Sequence, residues 1–292
     1  MAQVRHIARI VGTAGVVAAL CACARVDGSA LSHLAVSNVT PTSFTVSWIS
    51  ESPEEGTVRH GPSPSEMTGI SVDVRGAGTV SRTHLVTVSG IPAGSTRYFD
   101  VVSGATVDSN GGAHYSVALP AVLPLPTSFP FQIYGRAEKG GLPAEGALVR
   151  VRVRDRDGQG TSGASQVLSC LVDADGWWTV NAGWRLDGNL ASPFSFSEES
   201  DGVVAVCRDG EGASSLDVLT GSCQPSAVMA LQPRREGDVD GDGEVTVTDV
   251  VRCLRMAVGI EGMDVAGGDL DGDLLVTIAD VIRILRKVVG LP

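Results

Sequence analysis

The sequence predicts a mainly β chain, with two antiparallel β-sandwiches followed by a small α-helical module made of a duplicated acidic loop and helix. Three observations predict it. Short runs of alternating polar and apolar residues, punctuated by Gly and Pro, occupy residues 31–119 and 131–233, the signature of short strands. A Pro-rich stretch over 120–130 separates them. From residue 236 to residue 292 the pattern changes to two Asp-rich turns, each followed by apolar residues at helical spacing.

Composition narrows the function classes. Hydrophobic residues make up 43% of the 292 residues, enough to build packed cores. The formal charge is -11, and Lys139 and Lys287 are the only lysines. That balance argues against nucleic acid as a partner, because phosphates require Lys and Arg. Residues 236–292 hold 12 acidic residues against 5 basic ones. The acidity is therefore concentrated at the C-terminal end.

Residues 1–22 read as an export signal. Arg5, His6 and Arg9 precede an apolar run from Ile10 to Ala22. At 13 residues the run is shorter than the roughly 20 a membrane span needs. Leu20-Cys21-Ala22-Cys23 resembles a bacterial lipobox, which implies lipidation of Cys23 and a membrane contact through that lipid alone. Ordinary cleavage after Ala22 or Ala24, followed by release, is the alternative. Either route places the chain outside the cytoplasm or at the cell surface, where disulfides persist and calcium is plentiful. Of the remaining cysteines, Cys207 and Cys223 flank a Gly/Ser-rich stretch and are expected to form a disulfide, whereas Cys253 falls on the apolar face of a helix. Cys170 has no assigned role, and no CxxC pair suggests zinc or redox chemistry.

In the first β region, Ser43–Ile49 alternates with period two, and His84–Val88 and Arg97–Val102 read as further strands. Pro41, Pro53, Gly56, Gly61-Pro62, Gly90 and Pro92-Ala93-Gly94 read as turns between about seven short strands. Val39–Trp48 and Ile91–Tyr98 resemble the corresponding parts of a fibronectin type III domain. That resemblance implies a buried Trp48 and a corner tyrosine at Tyr98. The scattered histidines have no partners at catalytic or metal spacing.

The stretch 120–130 carries four prolines and reads as a stiff connector. In the second β region, Leu148–Arg154 alternates with its arginines on one face. Tyr134-Gly135-Arg136, Pro143–Val151 and Asp173–Val180 loosely resemble a transthyretin-like sandwich of the kind found beside carboxypeptidases. Trp177 and Trp178 are consecutive strand residues and face opposite ways, so both cannot be core. An exposed Trp in the region Trp177–Trp184 could stack on a sugar, although burial under a neighbouring loop or domain is the commoner outcome. Glu198, Glu199 and Asp201 read as a solvated loop.

The strongest signal lies in the C-terminal repeats, 31 residues apart. Loop one runs from Asp238 to Asp249 and loop two from Asp269 to Asp280. Positions 1, 3, 5 and 12 are Asp238, Asp240, Asp242 and Asp249 in the first, and Asp269, Asp271, Asp273 and Asp280 in the second. Calcium takes 6–8 oxygens from this spacing, with a backbone carbonyl at position 7, here Glu244 and Leu275. Two Ca2+ ions are expected. Position 6 is Gly243 in loop one but Leu274 in loop two. A left-handed backbone costs a non-Gly residue about 1–2 kcal/mol, so the second site is expected to be weaker. Val245 and Val276 are expected to pair as a short β bridge between the loops, and Gly259 and Gly290 to end the helices.

Position 12 is Asp rather than the Glu of ordinary EF-hands, and no helix precedes loop one. In both respects residues 236–292 resemble a type I dockerin. That resemblance implies docking onto a cohesin domain of a scaffold or cell-surface protein. The implied partner-binding residues are Val247, Thr248, Leu254 and Arg255 in the first repeat, with Ile278, Ala279, Leu285 and Arg286 in the second. Leu254 and Leu285 could equally be the module's own core. The near-identity of the repeats implies two docking orientations related by about 180°. The Ser-Thr pair of cellulosomal dockerins is missing, so a cellulosome is not implied.

The functional expectation is an exported, non-catalytic modular protein whose calcium-loaded C-terminal module docks onto a cohesin, in the setting of polysaccharide breakdown. A second reading is a carbohydrate-binding or adhesive surface protein, with the calcium module as stabiliser or anchor. No nucleophile elbow, HExxH, phosphate loop or acid pair supports an enzyme.

Overall fold

The computed structural model describes residues 31–121 and 130–291, with Trp184 described by its backbone only. The export signal, Cys23 and most of the Pro-rich stretch lie outside the described residues. No helix among the described residues is long and apolar enough to cross a membrane.

The first region contains β1 (Leu31–Ser37), β2 (Ser43–Gly61), β3 (Gly69–Val72), β4 (Val80–Ser89), β5 (Thr96–Ser103), β6 (Thr106–Asp108) and β7 (Tyr115–Ala118). The long β2 belongs to two sheets. Its first half pairs antiparallel with β1 and β4, and its second half pairs with β3 and β5. β5 also carries β6 and β7. The result is a β-sandwich with Phe44, Val46, Trp48, Val58, Val86, Phe99 and Val101 between its sheets.

Pro53 and Gly56, expected as turn residues, instead lie inside β2. Gly56 pairs with Ser103, and a Cβ there would overlap His84 and the Trp48 ring. The glycine thus serves close packing rather than a turn. Tyr98 is half-buried, and its neighbour Phe99 faces the core against Phe44 and Tyr115. Strand alternation puts the two side chains on opposite faces.

The second region contains β8 (Gln132–Lys139), β9 (Leu142–Pro143), β10 (Leu148–Arg154), β11 (Leu168–Leu171), β12 (Trp177–Asn181), β13 (Gly202–Arg208), β14 (Gly212–Leu219) and β15 (Met229–Pro233). The strand order is β11-β10-β13-β14-β15-β8-β12, with β9 paired to β8. β15 and β8 run parallel, and every other ladder of this sheet is antiparallel. The sheet folds around Ile133, Val149, Val151, Val153, Trp178, Val203, Ala205 and Cys207.

The expected Cys207–Cys223 disulfide is not made, and both residues are free, buried thiols. The Gly/Ser-rich stretch between them is not a loop but β14, paired with β13 so that Cys207 lies opposite Ser214 and Gly202 opposite Leu219. Cys223 follows beyond that far end. At about 3.4 Å per residue the hairpin separates the two by roughly 17 Å, whereas a disulfide needs Cα atoms within about 7 Å. Likewise, Asp201 is fully buried rather than solvated.

Two arginines of β10, Arg150 and Arg152, tie the units together. The valines of β10 face the sandwich core, leaving the other face to Leu148, Arg150, Arg152 and Arg154. Arg150 is buried and donates to Ser47 Oγ (3.2 Å from Nε), the Ser47 carbonyl (3.1 Å) and the His33 carbonyl of the first sandwich. Around it, Gln166 both accepts from the Val39 amide (2.7 Å) and donates to the Val39 carbonyl (3.0 Å). Ile49, Leu85 and Leu148 close the apolar part of this junction. Arg154 pairs with Asp217 at 2.7 Å, and Arg152 reaches the C-terminal module.

That module contains α1 (Val247–Ala257), α2 (Val265–Gly268) and α3 (Ile278–Val288). α1 and α3 start alike. Thr246 and Thr277 cap them, and Asp249 and Asp280 complete reciprocal capping boxes. Gly259 and Gly290, at φ 77° and 70°, end them in the left-handed conformation glycine tolerates. Cys253, Met256, Val281 and Ile284 pack between the helices with Val239 and Val276. The bridge expected between Val245 and Val276 is absent among the described residues. The segments just ahead of the two loops are joined instead, by the Gly237 amide donating to the Gly267 carbonyl at 3.1 Å.

Candidate metal centre

Each acidic loop is wound by its own carboxylates. In loop one, Asp238 accepts from the Gly241 and Gly243 amides at 2.7 and 3.0 Å, and Asp242 accepts from the Glu244 amide at 2.8 Å. Loop two repeats this, with Asp269 accepting from the Gly272 and Leu274 amides at 2.7 and 2.8 Å, and Asp273 from the Leu275 amide at 2.8 Å. The position-12 carboxylates close the loops. Asp249 accepts from the Val239 and Thr246 amides at 2.7 and 2.8 Å, and Asp280 from the Leu270 and Thr277 amides at 2.9 and 2.8 Å.

This winding turns carboxylate oxygens inward. Asp238, Asp240 and Asp249 bring one oxygen each within 4.8 Å of one another, as do Asp269, Asp271 and Asp273. Asp242 and Asp280 stand outside these triplets. Asp271 Oδ1 is buried without a hydrogen-bond partner among the described residues, while the Arg283 guanidinium lies 3.8 Å from the other oxygen; a buried, unpaired carboxylate oxygen is costly unless a cation faces it. The donor set is all oxygen, which suits a hard cation such as calcium.

The two loops differ electrostatically. Burial, followed by the Asp273 carboxylate, pushes Asp269 up to about 7. Burial and the neighbouring Asp271 push Asp273 up to about 6. Asp280 is raised by burial as well. In Asp249 burial acts the same way but is outweighed by amide donors from Thr246, Asp240 and Val239, which hold the group below its usual range. Crowded, desolvated carboxylates repel one another, and a dication relieves that repulsion.

The extra burial of loop two comes from the middle sandwich. Leu274 has φ 63° and is 1% exposed, packed with Val204, Val206, Ala213, Val265 and Ala266. Arg152 donates to the Asp273 carbonyl at 2.6 Å. Arg208 donates to the Ala266 carbonyl at 3.0 Å, and Ser215 to Asp264 at 2.8 Å. None of these contacts is legible in the loop sequence.

The eight residues implied in partner binding are all exposed. Val247 and Leu254 on α1 are 60% and 41% exposed, matched by Ile278 and Leu285 on α3 at 50% and 42%. Leu254 and Leu285 are thus not core. Val251, Val258, Ile282 and Val289 extend the same two stripes.

On the middle sandwich, Trp178 is core and Trp177 is the exposed member of the pair. The Tyr134 ring lies 6.3 Å from Trp177, and the Arg136 guanidinium 5.6 Å from its ring centroid. A third acidic group, Asp155, Asp157 and Asp201, was not legible because Asp201 is distant in sequence. Its oxygens are already engaged. Asp201 accepts from the Arg156 and Ser197 amides, and Asp157 from the Ser197 and Ser200 hydroxyls.

No family model matches the sequence, and neither does any curated protein. Among solved structures the chain is similar to the FN1–FN3 domains of chicken CNTN1, at 8% identity over 70% of this chain and 67% of that one, with a TM-score of 0.25. It is also similar to a two-domain fibronectin type III segment of chicken tenascin, at 14% identity over 64% of this chain and 97% of that one, with a TM-score of 0.20. At such scores the likeness assigns no family, and the mainly β architecture rests on the strand pairing of this chain itself.

Proposed function

We propose that this chain is an exported, non-catalytic modular protein whose C-terminal module binds two calcium ions and docks, as a dockerin does, onto a cohesin domain of a scaffold or cell-surface protein. The observation that carries this reading is the pair of matched apolar stripes on α1 and α3, which are left exposed while the helices' other faces are core. Solvent-facing Val, Ile and Leu in register on two related helices mark an interaction surface. Their near-equivalence suits a partner that binds in either of two orientations. Calcium fits the oxygen-only loops, and binding to the folded state adds its free energy to stability. The test is capture on immobilised cohesin domains with calcium and with chelator. Calcium-dependent capture supports the reading, and its absence across the cohesins encoded beside this chain refutes it.

A second reading rests on Trp177. With Tyr134 and Arg136 beside it, it offers a stacking surface for a sugar ring. Glycan-array binding lost in Trp177→Ala supports that role.

A further inference from the structure

The two loops are alike in sequence, yet the structure seats them differently. Loop one stands clear at position 6, where nothing lies within 4 Å of the place a Cβ would take on Gly243. Loop two has a buried, left-handed leucine there. A non-Gly residue holds such a backbone only where its surroundings enforce it. Here the surroundings belong to another unit. Val204 and Val206 alternate with the core residues Val203, Ala205 and Cys207, so they project from the outer face of β13 toward Leu274. Arg152, anchored by its Nε on the Ser165 carbonyl at 2.6 Å, holds the carbonyl of Asp273, the residue just before Leu274. Asp273 is also one of the three carboxylates gathered in that loop.

We propose that the middle sandwich completes the second metal site. By holding the Asp273 carbonyl and the Leu274 side chain, it fixes loop two in the conformation that gathers Asp269, Asp271 and Asp273. Metal binding at loop two and docking of the C-terminal module on the sandwich are then one linked equilibrium. The inference rests on the calcium reading above, and loop one serves as its internal control. Linkage is reciprocal: undocking weakens the second site, and emptying the second site loosens the module. Arg152 and Leu274 act here as positioning residues rather than ligands.

The test uses the full chain with Val206→Asn, and Ala213→Gln as a second variant. Both are neutral, so they leave the charges around the metal unchanged. Both lie outside the loops and outside the sandwich core. Calcium titration calorimetry reads the two affinities, assigned with Asp240→Asn for loop one and Asp271→Asn for loop two. Trypsin reads docking at the Arg234–Arg235 segment between β15 and the module, where Arg234 is tied to the Asp238 and Val239 carbonyls and to Asp264, itself bonded to Ser215 of the sandwich. The expected result is a loop-two affinity weakened at least about 5-fold, within the range typical of coupled sites, with loop one unchanged. In the wild type, calcium protects the Arg234–Arg235 segment and chelator exposes it. A variant that trypsin cuts in calcium but whose loop-two affinity is unchanged overturns the inference, as does a wild type that calcium fails to protect. Absence of calcium binding at both loops of the wild type is a separate failure, which removes the reading beneath it.

Discussion

Lowering the pH from 7 to 4 should weaken the first sandwich through His84. This residue is fully buried and stacked on Trp48 at 4.7 Å. Its Nε2 lies 3.2 Å from Ser50 Oγ, which gives its own hydrogen to the Ser52 carbonyl at 2.8 Å, so Nε2 is the donor. Nδ1 is then unprotonated, and it is buried without a hydrogen-bond partner among the described residues. Burial lowers the imidazole to about 4 from its ordinary 6.5, only partly offset by Asp73, whose Oδ2 is 4.0 Å away and already bonded to Arg75 and the Leu85 amide. The unfolded chain therefore takes the proton first. Stability is full above about 6.5, falls between 6.5 and 4, and levels off below. The gap amounts to about 3 kcal/mol, at about 1.4 kcal/mol per factor of ten. The assay is denaturant unfolding of the wild type and His84→Gln at pH 7, 6, 5 and 4, read as the difference between them so that other titrating groups cancel. A direct NMR titration of the imidazole accompanies it. A difference that does not change with pH, or an imidazole midpoint near 6.5 in the folded protein, refutes the reasoning.

Trp178→Ala should cost about 3–5 kcal/mol, as for a large core aromatic, while Trp177→Ala should change the denaturation midpoint little. Leu254→Asp with Leu285→Asp should abolish cohesin capture and leave circular dichroism and calcium affinity near wild type, since both side chains are more than 40% exposed. Either single variant should retain capture if the two orientations are equivalent. The thiols of Cys170 and Cys253 are pushed up to about 12 by burial, and that of Cys223 to about 11. At neutral pH iodoacetamide should therefore leave them unlabelled in the native protein. Mass spectrometry of the denatured chain should find no disulfide between Cys207 and Cys223.

The sequence determined whatever repeats along the chain at short range. The period-two pattern of Ser43–Ile49 and the valines of β10 dictate strands, because alternate residues must face one core. The Asp spacing winds both loops, and Thr246, Thr277, Gly259 and Gly290 bound the helices, since all these interactions span only a few residues. The apolar residues at helical spacing after each loop were legible too, but spacing left Leu254 and Leu285 open between core and partner face, and only the fold exposes them. What only the tertiary structure decided are the contacts between units. Gly56 is a strand residue because Trp48 and His84 come to lie above it. Cys207 and Cys223 are parted because the stretch between them adds a strand. Leu274, read from sequence as a strained position in an acidic loop, is buried because Val204 and Val206 of β13 and Ala213 of β14 form a pocket for it. Neither that pocket nor the reach of Arg152 has a local signal. Both exist only once two separately patterned segments have folded and met.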